Sequence, residues 1–171
     1  LASIETWSLL FYRGAIPFIT VLLSLLIIYK SNFFKIFLST GYPGVAYSIT
    51  FALTNITFII SIQNTNVANT LVMVALAPML SAILGLIFLK ENPEQKTWIA
   101  IIITTLAAIY IFYDSIQIGN FLGDIFGLIT ALGLAVGAVI VRSAKNRNLV
   151  PSAVVGKLFV AIIAAFFVEN F

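Results

Sequence analysis

The chain reads as an all-α protein, a polytopic bundle of transmembrane helices, and three observations predict it. Six long apolar runs divide the 171 residues. Of those residues 61% are hydrophobic and 9% charged, with a mean hydropathy of +1.13, whereas a soluble domain carries about 25% charged residues to keep its surface wet. Lys and Arg fall in every second gap between the runs, as they do when membrane insertion holds them on one side. A β-barrel is excluded, because its segments of about ten residues alternate apolar and polar, and nothing here alternates.

A hydrocarbon core about 30 Å thick takes about 20 helical residues, which each run reaches or approaches. The first, over 7–29, carries Arg13 and Pro17 and is followed by Lys30 and Lys35. The second, over 42–62, has Pro43 at its start, where the missing N–H of proline would have found no partner. The turn Gln63-Asn64-Thr65-Asn66 is so short that the second and third runs form an antiparallel hairpin. The third run, over 67–89, contains Pro78. Asn92-Pro93-Glu94-Gln95 then places an N-cap residue before a proline at the first helical position, which predicts a tight entry to the fourth run over 97–113. An acidic stretch from Asp114 to Asp124 overlaps the start of the fifth run, over 121–141, and the sixth, over 151–168, opens on Pro151. Tyr12, Tyr29, Tyr42, Trp98 and Tyr113 fall near the proposed interfaces, where amphipathic rings prefer to sit.

The basic gaps hold Lys30 and Lys35, then Lys90 and Lys96, then Arg142, Lys145 and Arg147. Placed in the cytoplasm, they put Leu1, the 63–66 turn, the acidic gap and Phe171 outside, in a multi-pass protein of the inner (plasma) membrane. The chain is expected to be an excerpt of a longer protein. It opens at Leu1 with neither an initiator Met nor the basic region and cleavage site of a signal peptide, and its last run stops at 169–171.

The net charge of +3 is spread over three short loops instead of one face, so no nucleic-acid partner is expected. Without Cys or His, disulfides, thiolate chemistry and His-based metal or acid–base sites are absent. An enzyme is therefore not expected, nor a cofactor or metal. The expected partners are a small-molecule solute and the lipid bilayer, with a homodimer as the assembly to consider.

Candidate site residues come from polar groups at depth. Tyr47, Thr50, Thr54, Thr57 and Ser61 recur at spacings of three and four, which is one helix face, and Asn55 adjoins it. A hydroxyl there either bonds its own helix or a neighbour, or lines a wet cavity. Pro17 and Pro78 each remove a backbone donor near the midplane and free a carbonyl four residues earlier, as in the broken helices of transporters. The alternative is a plain kink. Small residues at four-residue spacing, among them Gly127, Ala131 and Ala135, predict close helix contacts instead of chemistry. The cavity expected on these grounds takes Thr50, Thr54, Asn55, Asn69, Met73, Pro78 and Thr130. Arg13 and Lys157 lie about two turns from the outer ends of their runs and are expected to snorkel outward, in electrostatic or structural roles. No carboxylate is expected in a span interior.

Ser8 to Arg13 and Ser152 to Lys157 align with the basic residue in register, an offset of 144 residues (152 − 8). A repeat of that length holds an odd number of spans, so its second copy inserts upside down. Phe11-Tyr12-Arg13-Gly14, the run from Asn66 to Glu91 with Ala77-Pro78 and Leu89-Lys90-Glu91, and Gly123-Asp124-Ile125-Phe126-Gly127 together resemble the drug/metabolite transporter superfamily, in particular its EamA-type proteins. The resemblance covers nearly the whole chain. It implies ten helices in two inverted repeats, with 1–119 the first repeat lacking its first helix and 120–171 the first two helices of the second. It also implies a secondary transporter that moves a small organic metabolite or drug-like solute by alternating access. A lipid-carrier flippase of the same fold, and a non-transporting scaffold subunit, remain the alternatives. Lys157 stands where the first copy has Arg13, and offers a point charge in place of a planar fork.

Overall fold

The computed structural model describes residues 2–118, 121–145 and 147–168, the side chains at 2–5, 108, 111, 112 and 114–118 excepted. Leu1, Phe171 and the side chain of Asp114, all expected outside, lie beyond the described residues, as does the repeat boundary at 119/120. The elements are α1 (Ala2–Tyr29), a 3-10 turn (Lys30–Asn32), α2 (Phe33–Ser39), α3 (Gly41–Asn64), α4 (Val67–Val74), α5 (Ala77–Leu84) running into a π turn (Gly85–Leu89), α6 (Gln95–Ile118), α7 (Phe121–Ser143) and α8 (Val150–Phe167). No strand occurs among the described residues.

Five segments are long and apolar enough to cross a membrane: Thr6–Ser39, Gly41–Asn64, Val67–Leu89, Phe121–Ser143 and Val150–Phe167. The fourth expected span corresponds to α6, whose 24 residues have the length to cross. Polarity is distributed as lipid requires. Ile16, Ile19 and Ile27 of α1 and Ile102, Leu106 and Ile109 of α6 are exposed, while Ser48, Ser61, Thr70, Thr130 and Asp124 are buried. Water would reward the reverse arrangement. The protein is a helical multi-pass membrane protein.

The structure decides four readings of the sequence. Of the two readings open for Pro17, a break or a plain kink, the break is absent, since Pro17 lies inside an uninterrupted α1; neighbouring groups in membrane helices re-satisfy a carbonyl that proline frees. At Pro78 the break that the sequence offered is present: the third run is interrupted at Ala75–Leu76, and Pro78 sits in the first turn of α5. The ring of Pro78 cannot supply the N–H that would continue α4, so the chain tightens there, with Leu76 N–H donating to Met73 O at 3.1 Å. Asn92 does not cap α6, because the first helical bonds end on Glu94 O, from Thr97 N at 2.9 Å, and Pro93 precedes the helix. The first basic gap contains α2, which its apolar Phe-Phe-Lys-Ile-Phe-Leu sequence did not announce against the longer runs.

The basic gaps share a local device. Lys30, Lys90 and Lys145 have φ of 40°, 57° and 49°, the left-handed region usually left to Gly at a helix end. After α5, Lys90 N–H and Glu91 N–H both donate to Gly85 O, the latter at 3.2 Å, closing the terminal carbonyls. The lysines also set their charge at the negative end of the helix dipole.

Contacts group the chain into two units, 1–53 with 140–171, and 54–139. In the first, α1 and α8 run antiparallel: Trp7 stacks on Phe167 with centroids 4.5 Å apart, and at the other end Asn148 Nδ2 donates to Tyr29 Oη at 3.3 Å. Gly14 sets the approach, since a Cβ there would stand 2.8 Å from Ala161 N. Arg147 Nη1 donates to Thr40 O at 3.4 Å, so the first and third basic gaps meet at one end of this unit. Against α8, the first half of α3 is fastened by Ser48 Oγ donating to Ser152 O at 2.7 Å. In the second unit, Met73, Leu76 and Ala131 form the buried apolar cluster, with Ala77, Met79, Leu80 and Leu128 packed on it. Thr105 of α6 reaches Met79 Sδ at 2.8 Å.

Candidate functional site

The second unit holds a seam of hydroxyl groups between the second half of α3, α4 and the first half of α7. Small residues make it: a Cβ at Gly127 would lie 3.0 Å from Met73 Cβ and 3.1 Å from Ser61 Oγ. Glycine lets α7 come this near α3 and α4 without displacing a neighbour. Ser61 Oγ donates to Gly123 O at 2.7 Å, which leaves its lone pairs to accept from Thr70 Oγ1 at 2.8 Å. One turn along α3 and two along α7, Thr57 Oγ1 and Thr130 Oγ1 stand 2.9 Å apart. Each also reaches a carbonyl of its own helix, Thr57 that of Thr54 at 3.2 Å and Thr130 that of Phe126 at 2.8 Å. These two hydroxyls carry one proton apiece, so their three bonds cannot all be made at once.

The expected cavity residues divide in this structure. Met73 and Thr130 lie in the seam, each 1% exposed, and buried Thr54 faces α7 at Gly133, where a Cβ would collide with its hydroxyl. Asn55 is half-buried on α3. Asn69 lies toward the neutral turn, its Nδ2 donating to Thr65 Oγ1 at 3.4 Å. Pro78 is exposed at the start of α5, and Thr50 belongs to the first unit, where its hydroxyl donates to Ala46 O at 2.9 Å. Asp124 is the residue that sequence reading missed. Its place at the start of the fifth run is kept, in the first turn of α7, but it has 0% exposure, and neither carboxyl oxygen has a hydrogen-bond partner among the described residues. The expectation of no carboxylate concerned span interiors, and Asp124 stands at a helix end; what the sequence reading missed is its burial. The signal was present: Asp124, Gly127, Ala131 and Ala135 continue one stripe at spacings of three, four and four.

The sequence model of the EamA-like transporter family matches residues 1–113, well over half of the chain. The chain belongs to this family. No curated protein and no solved structure matches it. The EamA-like match covers α1 to α5 and most of α6, and so includes the α3 and α4 sides of the seam. In this EamA-like chain Lys157 is held over the ring of Phe51, its Nζ 5.2 Å from the centroid, while Arg13 is exposed on α1. Two cavities lie in the first unit, of about 220 and 250 Å³. The smaller is lined by apolar residues of α3 and α8, the larger also by Thr40, Ser48 and Ser152, and Phe159 belongs to both. None of the expected cavity residues lines either.

Proposed function

We propose that this EamA-like protein is a secondary transporter that moves a small organic metabolite or drug-like solute across the inner membrane by alternating access, with its basic loops in the cytoplasm. The observation that carries the reading is the hydroxyl seam of the second unit. It sets Thr57, Ser61, Thr70 and Thr130 inside otherwise apolar helices, beside the interruption at Ala75–Leu76. Polar groups at that depth are costly and are retained where helices must grip one another or a solute. Thr50, Thr54, Asn55, Asn69, Met73, Pro78 and Thr130 are the proposed solute contacts, while Arg13 and Lys157 act electrostatically. The inverted-repeat reading accompanies it, with 1–119 and 120–171 as parts of two repeats. The partners are the solute and the bilayer, without nucleic acid, catalysis or cofactor, and a homodimer is the assembly to test by cross-linking in membranes.

The test is uptake and efflux of radiolabelled amino acids and cationic dyes by the full-length protein, normalised to membrane abundance. Losing one neutral hydrogen bond costs about 0.5–1.5 kcal/mol, so Thr54→Val and Thr130→Val should each raise the apparent KM about two- to twelve-fold. Unchanged kinetics for every solute carried would remove these residues from the site. A second reading, a lipid-carrier flippase, draws support from the mainly apolar cavities that share Phe159. It predicts that proteoliposomes flip a fluorescent lipid and that Phe159→Ala slows the flipping.

A further inference from the structure

Asp124 is unlike every other polar group at this depth in the second unit. The hydroxyls of the seam all have partners, whereas both oxygens of Asp124 have none among the described residues and its side chain is fully buried. Position on α7 says what surrounds it. Leu128 and Ala131 lie four and seven residues on, on the same helix face, and they pack on Met73 and Leu76. Gly123, its neighbour, accepts the Ser61 hydroxyl, and Gly127 lies against Met73 and Ser61. The carboxyl group therefore borders the hydroxyl seam, on the face that α7 turns toward α4.

No countercharge is supplied from the elements packed there. Residues 54–89, which make the second half of α3, α4, α5 and the π turn, contain no Asp, Glu, Lys, Arg, His or Tyr. Along α7, Asp124 is the sole ionisable side chain up to residue 139. On α6, which packs on α4 and α5, Lys96 is exposed near the entry, and Tyr110 and Tyr113 are exposed as well. Lys90, Glu91 and Glu94 are exposed in the loop before α6. A buried acid with neither a hydrogen-bond partner nor a cation among the described residues is the costliest of polar burials, and a bound ion is one of the few ways to offset it. The absence of clustered metal-ligand side chains among the described residues argues against a multivalent ion.

We propose that Asp124 is a binding site for a small monovalent cation, a proton or a sodium ion, whose uptake and release are coupled to solute movement. The carboxyl group gains the cation from water on one side of the membrane and returns it on the other, so charge and atoms balance without a further reactant. Coupling rests on the transporter reading above; cation binding does not, and the test separates them. The first measurement uses the detergent-purified full chain without solute. Its thermal unfolding midpoint, read by tryptophan fluorescence, is followed against NaCl replacing choline chloride at fixed pH, and against pH without sodium. A ligand that binds only the folded state shifts the midpoint with concentration. The midpoint of the wild type should depend on sodium, or on pH, more steeply than that of Asp124→Asn, and the arm in which the two diverge identifies the cation. Parallel curves in both arms would overturn the site.

The second measurement uses proteoliposomes and a radiolabelled amino-acid mixture. Exchange of external for internal solute needs no net cation movement, whereas accumulation driven by an imposed pH or sodium gradient does. Asp124→Asn should keep exchange and lose at least about tenfold of gradient-driven accumulation, the effect of removing a coupling free energy of typical size. Asp124→Glu should recover part of it. Equal loss of both activities at normal abundance would make Asp124 a packing residue and overturn the coupling role, as would the loss of neither. Absence of exchange in the wild type would count against the transporter reading alone, and the purified-protein measurement would still decide the cation site.

Discussion

Replacing Gly123 with alanine should destabilise the second unit despite improving the local helix. The added Cβ would stand 2.5 Å from the carbonyl carbon of Asn64 and 2.6 Å from its oxygen. Those are backbone atoms, which cannot rotate aside. Reaching an ordinary van der Waals separation of about 3.4 Å requires α7 and the end of α3 to part by most of an ångström. The same displacement acts on the Ser61 Oγ to Gly123 O bond, now 2.7 Å, and stretches it past hydrogen-bonding range. Overpacking of this kind costs about 1–3 kcal/mol and the lost bond about 0.5–1.5 kcal/mol, while Gly→Ala within a helix returns about 1 kcal/mol. The net destabilisation is about 0.5–3.5 kcal/mol. Gly127→Ala provides the graded comparison, because its nearest obstacles stand farther off: Met73 Cβ at 3.0 Å need give only a few tenths of an ångström, and Ser61 Oγ at 3.1 Å can rotate. Thermal midpoints of both variants in detergent should rank wild type above Gly127→Ala above Gly123→Ala. A Gly123→Ala protein as stable as wild type would refute the close approach of α7 to the end of α3.

Two further expectations concern stability. A double-mutant cycle of Thr57→Val and Thr130→Val should show a coupling energy of about 0.6 kcal/mol, the usual size for hydrogen bonds between membrane helices; zero coupling would mean that each hydroxyl bonds only its own helix. Lys90→Gly should be neutral or stabilising by up to about 1 kcal/mol, since it relieves a side chain held at φ 57° while enlarging the freedom of the unfolded chain. A marked loss of stability would show that the charge of Lys90, not its backbone geometry, is what that loop requires.

The spans were legible because lipid imposes two crude demands, length and apolarity, that a sequence cannot disguise. What the solvent does not dictate was harder to read. Spacing of three and four identified the polar face of α3, but the same spacing serves a hydroxyl that binds a carbonyl of its own helix, as Thr50 does, and one that bridges helices, as Thr57 and Ser61 do. Partner choice depends on where glycines let another helix approach, and Gly123, Gly127 and Gly133 act through tertiary geometry that no local pattern encodes. A break at Pro17 stayed open because a proline's missing donor is visible in sequence, whereas the surroundings that tolerate it are not. Asp124 was under-read for the opposite reason. An acid in the first turn of a run reads as exposed until its register with the small-residue stripe is followed.

The hydrogen bonds of the seam differ in what each side chain has to fall back on. Thr57 and Thr130 each have a carbonyl on their own helix within reach, so parting α3 from α7 at that level leaves no donor unsatisfied. The cost of separation there is set by packing alone, and packing between membrane helices is cheap to exchange for lipid or solute. At Ser61 the position differs: its hydroxyl bridges to Gly123 O on α7 and to Thr70 on α4, so separation breaks a bond that ties the chain at the neutral turn. The seam is thus firmly fastened at the level of Gly123 and weakly at the level of Thr130. Opening a path for solute should begin at Thr57 and Thr130, with the contact of Gly123 and Asn64 as the fixed end, and that contact is the one Gly123→Ala disturbs.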